Sequence, residues 1–255
     1  MSASVLAAEV SSASLPSAAN DASDIARLKA ELALALRAAS HHGLSEGVCN
    51  HFSVAISDTE FLINPRGLHW SEVGPDDIVT VDENGAVLAG RHRVEPSALF
   101  IHAAVHRIAG HKVVLHTHMP YATALTLTEA GALDPTLSQN AMRFMGRLVV
   151  DRDYNGLALD WPEGERIARA MQDKDVAFLA NHGVIVAGSS VAWAYDDLYY
   201  LERACLHEVL AASTGRPLRT VPAALASTTA AQVQGEREQS DLFFESLGRM
   251  LPAPR

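Results

Sequence analysis

The sequence predicts an α/β fold around one sizeable core. Apolar residues recur at helical spacing over 23–39 and 190–213, and the stretch between them is filled with short strand-like runs. No internal repeat and no linker divides that middle. At 255 residues the chain suits one large α/β domain or two small ones. Its hydrophobic fraction of 48% and charged fraction of 20% supply enough apolar surface to offset chain entropy, which excludes wholesale disorder.

Residues 1–22 are mostly Ala and Ser and lack the basic start and long apolar run of a secretory signal, so they read as a disordered tail. Over 23–39, Ile25, Leu28, Leu32 and Leu36 recur every three or four positions, with Arg27, Lys29, Glu31 and Arg37 between them. That spacing predicts an amphipathic helix, ended by Gly43. Short strands are expected at 53–56, 61–63, 78–81 and 86–88, the last two joined by a turn at Asp82, Glu83, Asn84 and Gly85. A helix over 97–108 closes at Gly110, a buried strand follows at 112–116, and Met119-Pro120 opens another helix because proline suits the first helical turn. Downstream, 163–171 reads as a helix, 176–180 and 184–187 as strands, and 190–213 as a long helix closed by Gly215. Within that long helix Tyr195, Leu198, Leu201 and Leu206 form the expected core stripe, and Asp196, Glu202 and Arg203 the expected solvated face. One domain over 23–216 is the result, and 217–255 forms a weakly periodic extension with a peripheral helix expected over 237–250.

Charge and cysteine content narrow the partners. The formal charge is −10, from 20 basic and 30 acidic residues, so the average field repels phosphate backbones and anionic lipid. No nucleic-acid partner is expected. Charged residues or histidine interrupt each apolar stretch before it reaches about 18 residues, so no membrane span is expected. Cys49 and Cys205 are too far apart for a zinc ribbon and too few for a disulfide framework, which fits a reducing, cytoplasmic location. Twelve histidines are the compositional oddity, and they point to a metal or acid/base site.

The sharpest local signal is His116-Thr117-His118 at the end of an apolar run. Side chains alternate along a strand, so the two imidazoles project from one face, either to share an ion or as two satisfied histidines at a strand end. His182 lies where one apolar strand breaks and another resumes; Gly183 would permit the tight turn that presents it. A histidine in a turn is usually structural or solvated, but here it would complete three neutral nitrogen ligands with a fourth position open to water or substrate. His102 and His106, one turn apart on an apolar helix, are expected to be packing residues, and His41 and His42 to close the first helix. His69-Trp70 follows the loop that carries Arg66 and is a weak candidate for a pocket wall.

The run Val114-Leu115-His116-Thr117-His118-Met119-Pro120-Tyr121-Ala122-Thr123-Ala124, the segment Asn181-His182-Gly183-Val184 and their separation resemble the class II aldolase and adducin family over about 25–216. The resemblance implies a three-layer α/β/α sandwich around a mostly antiparallel sheet, commonly a homotetramer with sites near subunit interfaces. It also implies a divalent metal, usually zinc, on His116, His118 and His182. Sugar-phosphate members cradle phosphate with a Ser-Gly-Asn turn, a Thr-Gly pair and a Ser-Ser pair, of which Asn50, Gly67 and Ser97 match parts. Val48-Cys49, Arg66 and Pro96 replace the remaining residues, so those hydroxyls are lost. Arg66 either forks onto a substrate carboxylate or is solvated. Those aldolases place a catalytic Glu four residues before a helix His; His102 matches the His, and the Glu position holds Ala98. Glu95, three residues earlier, is the candidate acid/base group; alternatively it favours the dipole of the helix that follows.

The expected function is a metal-dependent lyase, aldolase or decarboxylase in type, acting on a small hydroxy-carbonyl or carboxylate substrate through a metal-stabilised enolate. Zn2+ leads, with Fe2+, Mn2+ or Co2+ also compatible. Two other classes remain in view: a non-haem iron oxygenase on the same three histidines, and a non-catalytic adducin-like assembly module.

Overall fold

Alternation along the strands sorts the apolar side chains into two separate cores, and that sorting sets the architecture. In the computed structural model, residues 21–171 and 173–254 are described, so positions 1–20 of the expected tail lie outside the described residues. Eight strands are present among the described residues: β1 (His51–Ala55), β2 (Glu60–Ile63), β3 (Val79–Asp82), β4 (Val87–Ala89), β5 (Val113–Thr117), β6 (Leu148–Asp151), β7 (Val176–Leu179) and β8 (Gly183–Gly188). They form one sheet in the order β4-β3-β2-β1-β5-β8-β7-β6, antiparallel throughout except between β6 and β7.

One face of the sheet presents Phe52, Val54, Leu62, Val113, Leu115, Phe178, Val184 and Val186. It is covered by α1 (Ala22–His41), α3 (Pro120–Thr126) and α6 (Val191–Ser213) through Leu32, Leu36, Ala122, Leu125, Tyr195 and Leu198. The other face presents Val114, Ala177, Leu179, Ile185 and Ala187, covered by α2 (Pro96–Ala104) and, beyond the short α4 (Gln139–Met142), α5 (Trp161–Met171). Phe61, Ile63, Val79 and Val81 continue that second face under Ala98 and Ala103 of α2. Helices on both sides of an antiparallel sheet make the expected α/β/α sandwich.

Local chemistry explains most boundaries. Asp21 N-caps α1, its side chain accepting from the backbone N–H groups of Ser23 and Asp24, so the helix begins at Ala22, one residue earlier than expected. At the other end, the Leu44 N–H donates to the Ala39 carbonyl and Gly43 takes φ 71, closing the helix as predicted. Asp82 accepts from the N–H groups of Asn84 and Ala86 in the β3–β4 turn. Helix α2 runs on through a π-helical turn, Val105–Ala109, to Gly110 at φ 73. No described helix is long and apolar enough to cross a membrane.

The long helix α6 departs from the expected pattern. Asp196 and Glu202 are buried, whereas Arg203 is exposed as predicted and Leu206 only half-buried. The C-terminal extension forms two helices, α7 (Ala223–Gly235) and α8 (Glu238–Met250), and folds back over α6. Asp196 pairs with Arg143 and accepts from the Ser240 hydroxyl at 2.8 Å; neighbouring Asp197 pairs with Arg147 and Arg237, each at 2.7 Å. Glu202 accepts from the Tyr121 and Ala122 N–H groups at 2.8 and 2.9 Å, satisfying the first turn of α3. A face that reads as solvated in one dimension is therefore covered by partners distant in sequence.

Candidate metal centre

Strand β5 places His116 beside Val114 on the α2/α5 face and buries Thr117 on the opposite one. His118 follows in the short connection to α3, which Pro120 opens. In the antiparallel pairing of β5 with β8, His116 lies opposite Ile185 and Thr117 opposite Val184, so the residue just before β8 arrives at the end of β5. That residue is His182. Its ring centroid lies 4.9 Å from those of both His116 and His118, which are 5.1 Å apart. One ring nitrogen from each histidine lies within 4.8 Å of the other two.

Gly183 enables this approach by a different route from the one expected. The left-handed residue of the β7–β8 turn is Asn181, at φ 56. A Cβ on Gly183 would stand 2.6 Å from the Thr117 carbonyl oxygen and 2.8 Å from His118 Cδ2, so a side chain there would push the two strand ends apart.

Hydrogen bonds orient two of the rings. His116 Nδ1 donates to the Val184 carbonyl at 3.0 Å, and His118 Nδ1 donates to Glu46 Oε2 at 2.6 Å. Both bonds leave Nε2 as the remaining ring nitrogen, and His118 Nε2 is buried without a hydrogen-bond partner among the described residues. A buried, orphaned imidazole nitrogen within reach of two more imidazoles is what a divalent ion requires. Burial, reinforced by the neighbouring histidines, holds His116 well below the ordinary imidazole range. Burial also lowers His182 to about 4, with His118 adding to the shift and Asp151 and Glu163 opposing it. Neutral imidazoles are the form that binds a metal.

These shifts predict a pH dependence of the metal-free fold. The unfolded chain takes up protons on histidine near its ordinary value of 6.5, whereas folded His182 and His106 do so only at about 4 and His51 at about 3. Below 6.5 the unfolded state thus binds more protons, and stability falls with falling pH until those folded values are reached. Urea unfolding of metal-free protein should show a loss of several kcal/mol between about pH 7 and about pH 4.5. A flat profile over that interval would contradict the burial of these rings.

The remaining candidates lie at differing removes from the triad. Asn50, held at φ 74, accepts from the His118 N–H through Oδ1 at 3.2 Å, while its Nδ2 is buried and unpartnered. Arg66 and Glu95 pair with each other, Nε to Oε2 at 2.7 Å, and the Arg66 N–H donates to the Arg93 carbonyl. Glu95 occupies the N-cap position of α2 but makes no side-chain cap bond. Gly67, at φ 84, is exposed beside Arg66, and Ser97 is half-buried in the first turn of α2. Ala98 is fully buried against the β2–β3 core, so a carboxylate there would face apolar side chains. His102 and His106 behave as packing residues, both hydrogen-bonded to the Ser53 hydroxyl, at 2.6 and 2.7 Å. His42 caps α1 and bonds the Tyr195 hydroxyl; His69 caps a short 3-10 turn with Trp70 buried beneath it. Glu46 was absent from the sequence expectation, since its partner lies 72 residues away. Its only local signal is a carboxylate in the glycine-flanked turn Gly43-Leu44-Ser45-Glu46-Gly47.

A three-layer sandwich with three imidazoles converging at one end of its sheet defines a mixed α/β domain whose histidines could together hold a divalent ion. The chain belongs to the Class II Aldolase and Adducin N-terminal domain family, which it matches over residues 30–209. Its fold is similar to the crystal structure of an aldolase II superfamily protein from Pseudomonas syringae, with a TM-score of 0.80 and 30% identity over 88% of this chain and 93% of that one. It is 31% identical to Decarboxylase NovR of Streptomyces niveus, over 82% of this chain and 78% of that protein. A similar likeness, 30% over 82% and 76%, links it to 4-hydroxy-3-prenylphenylpyruvate oxygenase/4-hydroxy-3-prenylbenzoate synthase of Streptomyces roseochromogenus subsp. oscitans. Helices α7 and α8 lie beyond the matched region.

Proposed function

We propose that the chain is a divalent-metal-dependent carbon–carbon lyase of aldolase or decarboxylase type, acting on a small hydroxy-carbonyl or carboxylate substrate. The observation that carries this reading is the convergence of His116, His118 and His182, with the buried Nε2 of His118 lacking any other partner. Three neutral imidazoles suit Zn2+ best among ions that also include Fe2+, Mn2+ and Co2+, and they leave a coordination position for substrate. An ion held there supplies Lewis-acid stabilisation of the negative charge left when a carbon–carbon bond breaks, worth several kcal/mol.

The chain's own residues supply recognition and proton transfer. Arg66, more than half exposed, offers its guanidinium to a substrate carboxylate, and Asn50 Nδ2 is an unused buried donor next to His118. In this reading Gly67 and Ser97 supply backbone and hydroxyl contacts to the substrate. Glu95, steered by Arg66, serves as the proton carrier in place of the group missing at Ala98. Glu95→Gln should therefore lower turnover about 100-fold with metal content kept. If metal is lost instead, Glu95 is a ligand; if neither quantity changes, it acts only on Arg66 and α2. A cytoplasmic homotetramer completes the reading, and sedimentation of the purified protein measures its assembly.

The likeness to a named oxygenase supports a second reading, iron on the same three histidines with oxygen consumed during turnover. Metal analysis and oxygen uptake separate the two. Purified protein incubated with a panel of hydroxy-acids should exchange carbon-bound protons with solvent when metal is present. Protein with neither bound metal nor exchange would be better described as an adducin-like assembly module.

A further inference from the structure

We propose that Glu46 is a positioning residue for the metal centre: its carboxylate holds His118 in the tautomer and orientation that turn Nε2 toward His116 and His182. The inference rests on the metal reading above and assigns a role to a residue outside the triad. His118 Nδ1 lies 2.6 Å from Glu46 Oε2. A carboxylate only accepts, so the proton sits on Nδ1 and the lone pair on Nε2, the buried atom that has no other partner. His116 is held the same way by the Val184 carbonyl. The chain thus uses a backbone oxygen for the histidine inside the strand and a side-chain oxygen for the one beyond its end, where no neighbouring strand supplies a carbonyl.

Glu46 is largely exposed, and an exposed hydrogen bond adds little to stability. Its value here is directional, because only one of the two tautomers presents the lone pair to an ion. The loop that carries it is held at several points. His42, where the loop departs, is fixed by the Tyr195 hydroxyl at 2.7 Å and packed by Tyr199 and Phe243. Leu44 is buried, and the Cys49 N–H donates to the Glu46 carbonyl at 2.9 Å across a turn with Gly47 at φ 54. Asn50, at the end of the loop, accepts from the His118 backbone N–H. Residues 46–50 therefore grip His118 by ring and by backbone. Phe243 belongs to α8, so the C-terminal extension beyond the family match helps to brace this loop.

The test uses the full chain with Glu46→Ala and Glu46→Gln. Histidine tautomers are read from long-range proton–nitrogen correlation spectra of metal-free protein, and zinc affinity from competition with a chelator. In Glu46→Ala, His118 should lose its Nδ1–H preference and zinc affinity should fall about 10- to 100-fold, with an unchanged circular dichroism spectrum. In Glu46→Gln the amide carbonyl still accepts from Nδ1, so the tautomer should persist and the affinity should lie between those of wild type and the Ala variant. Wild-type zinc affinity in Glu46→Ala overturns the proposal, as does an equal loss in both variants, which would mean that charge or direct ligation matters and not the tautomer. Failure of the wild type to bind zinc would sink the metal reading instead, and the metal-free spectra would still decide whether Glu46 sets the His118 ring.

Discussion

Replacing His118 or His182 by Ala should lower metal affinity by more than about 100-fold while the chain stays folded, since removing a ligand must cost more than removing the group that orients one. Both rings are only partly buried, so their loss leaves the two cores intact, whereas His116 is buried within the sheet and its variant must be checked for folding. Among the described residues no other group of three ligating side chains converges in this way. His51 is the nearest alternative, lying opposite His116 in the β1–β5 register, but its ring centroid is 6.2 Å from that of His116, against 4.9 to 5.1 Å within the triad. Metal analysis after dialysis, with circular dichroism as the control, reads the result. Full occupancy in all three single variants would remove the triad assignment.

Asp197→Ala is expected to destabilise the fold by about 3–5 kcal/mol, the range for breaking a buried ion pair by removing one partner. Burial pushes this carboxyl up, but Arg147 and Arg237 outweigh it and hold the pKa below the ordinary carboxylate value. The Asp197 side chain is 2% exposed, and its loss removes the carboxylate shared by both guanidinium groups, leaving Arg147 only Asp175 at 2.7 Å and Arg237 only Asp196 at 3.8 Å. A fall in Tm on the order of 10 °C should follow. Because Arg237 stands at the entrance of α8, hydrogen exchange should also rise across α7 and α8. Asp24→Ala, which removes an exposed partner of Arg27, is the control and should change stability by less than about 1 kcal/mol. A similarly small change in Asp197→Ala would mean that the cluster specifies geometry and adds no stability.

What could be read along the chain was whatever local periodicity and terminal chemistry encode. The repeat of Leu28, Leu32 and Leu36, the proline opening α3 and the glycines closing α1 and α2 act within a few residues, and each of those elements lies within a few residues of its expected bounds. The same holds for His116 and His118, whose spacing of two follows the alternation of β5 one residue past its end. Strand β6 was missed because its burial is modest and it is the parallel edge partner of β7, with no hairpin turn to announce it. Helix α7 was missed because its Ala- and Thr-rich sequence carries almost no amphipathic signal.

The break between two apolar strands nominates His182 and the family resemblance groups it with His116 and His118, but nothing in its own segment brings it to the other two histidines. The β5–β8 register does that, and the missing Cβ at Gly183 allows the close approach. Asp196 and Glu202 look solvated on a helical wheel because the wheel does not contain Arg143, Ser240 or the first turn of α3, which cover them. Glu46 reaches His118 only once the loop after α1 is laid against the end of β5. Helix boundaries depend on interactions between residues three or four apart, which the order of amino acids states directly. A metal site depends on nitrogen atoms meeting within a few ångströms, and residues 66 positions apart meet only after strand pairing has closed the chain around them.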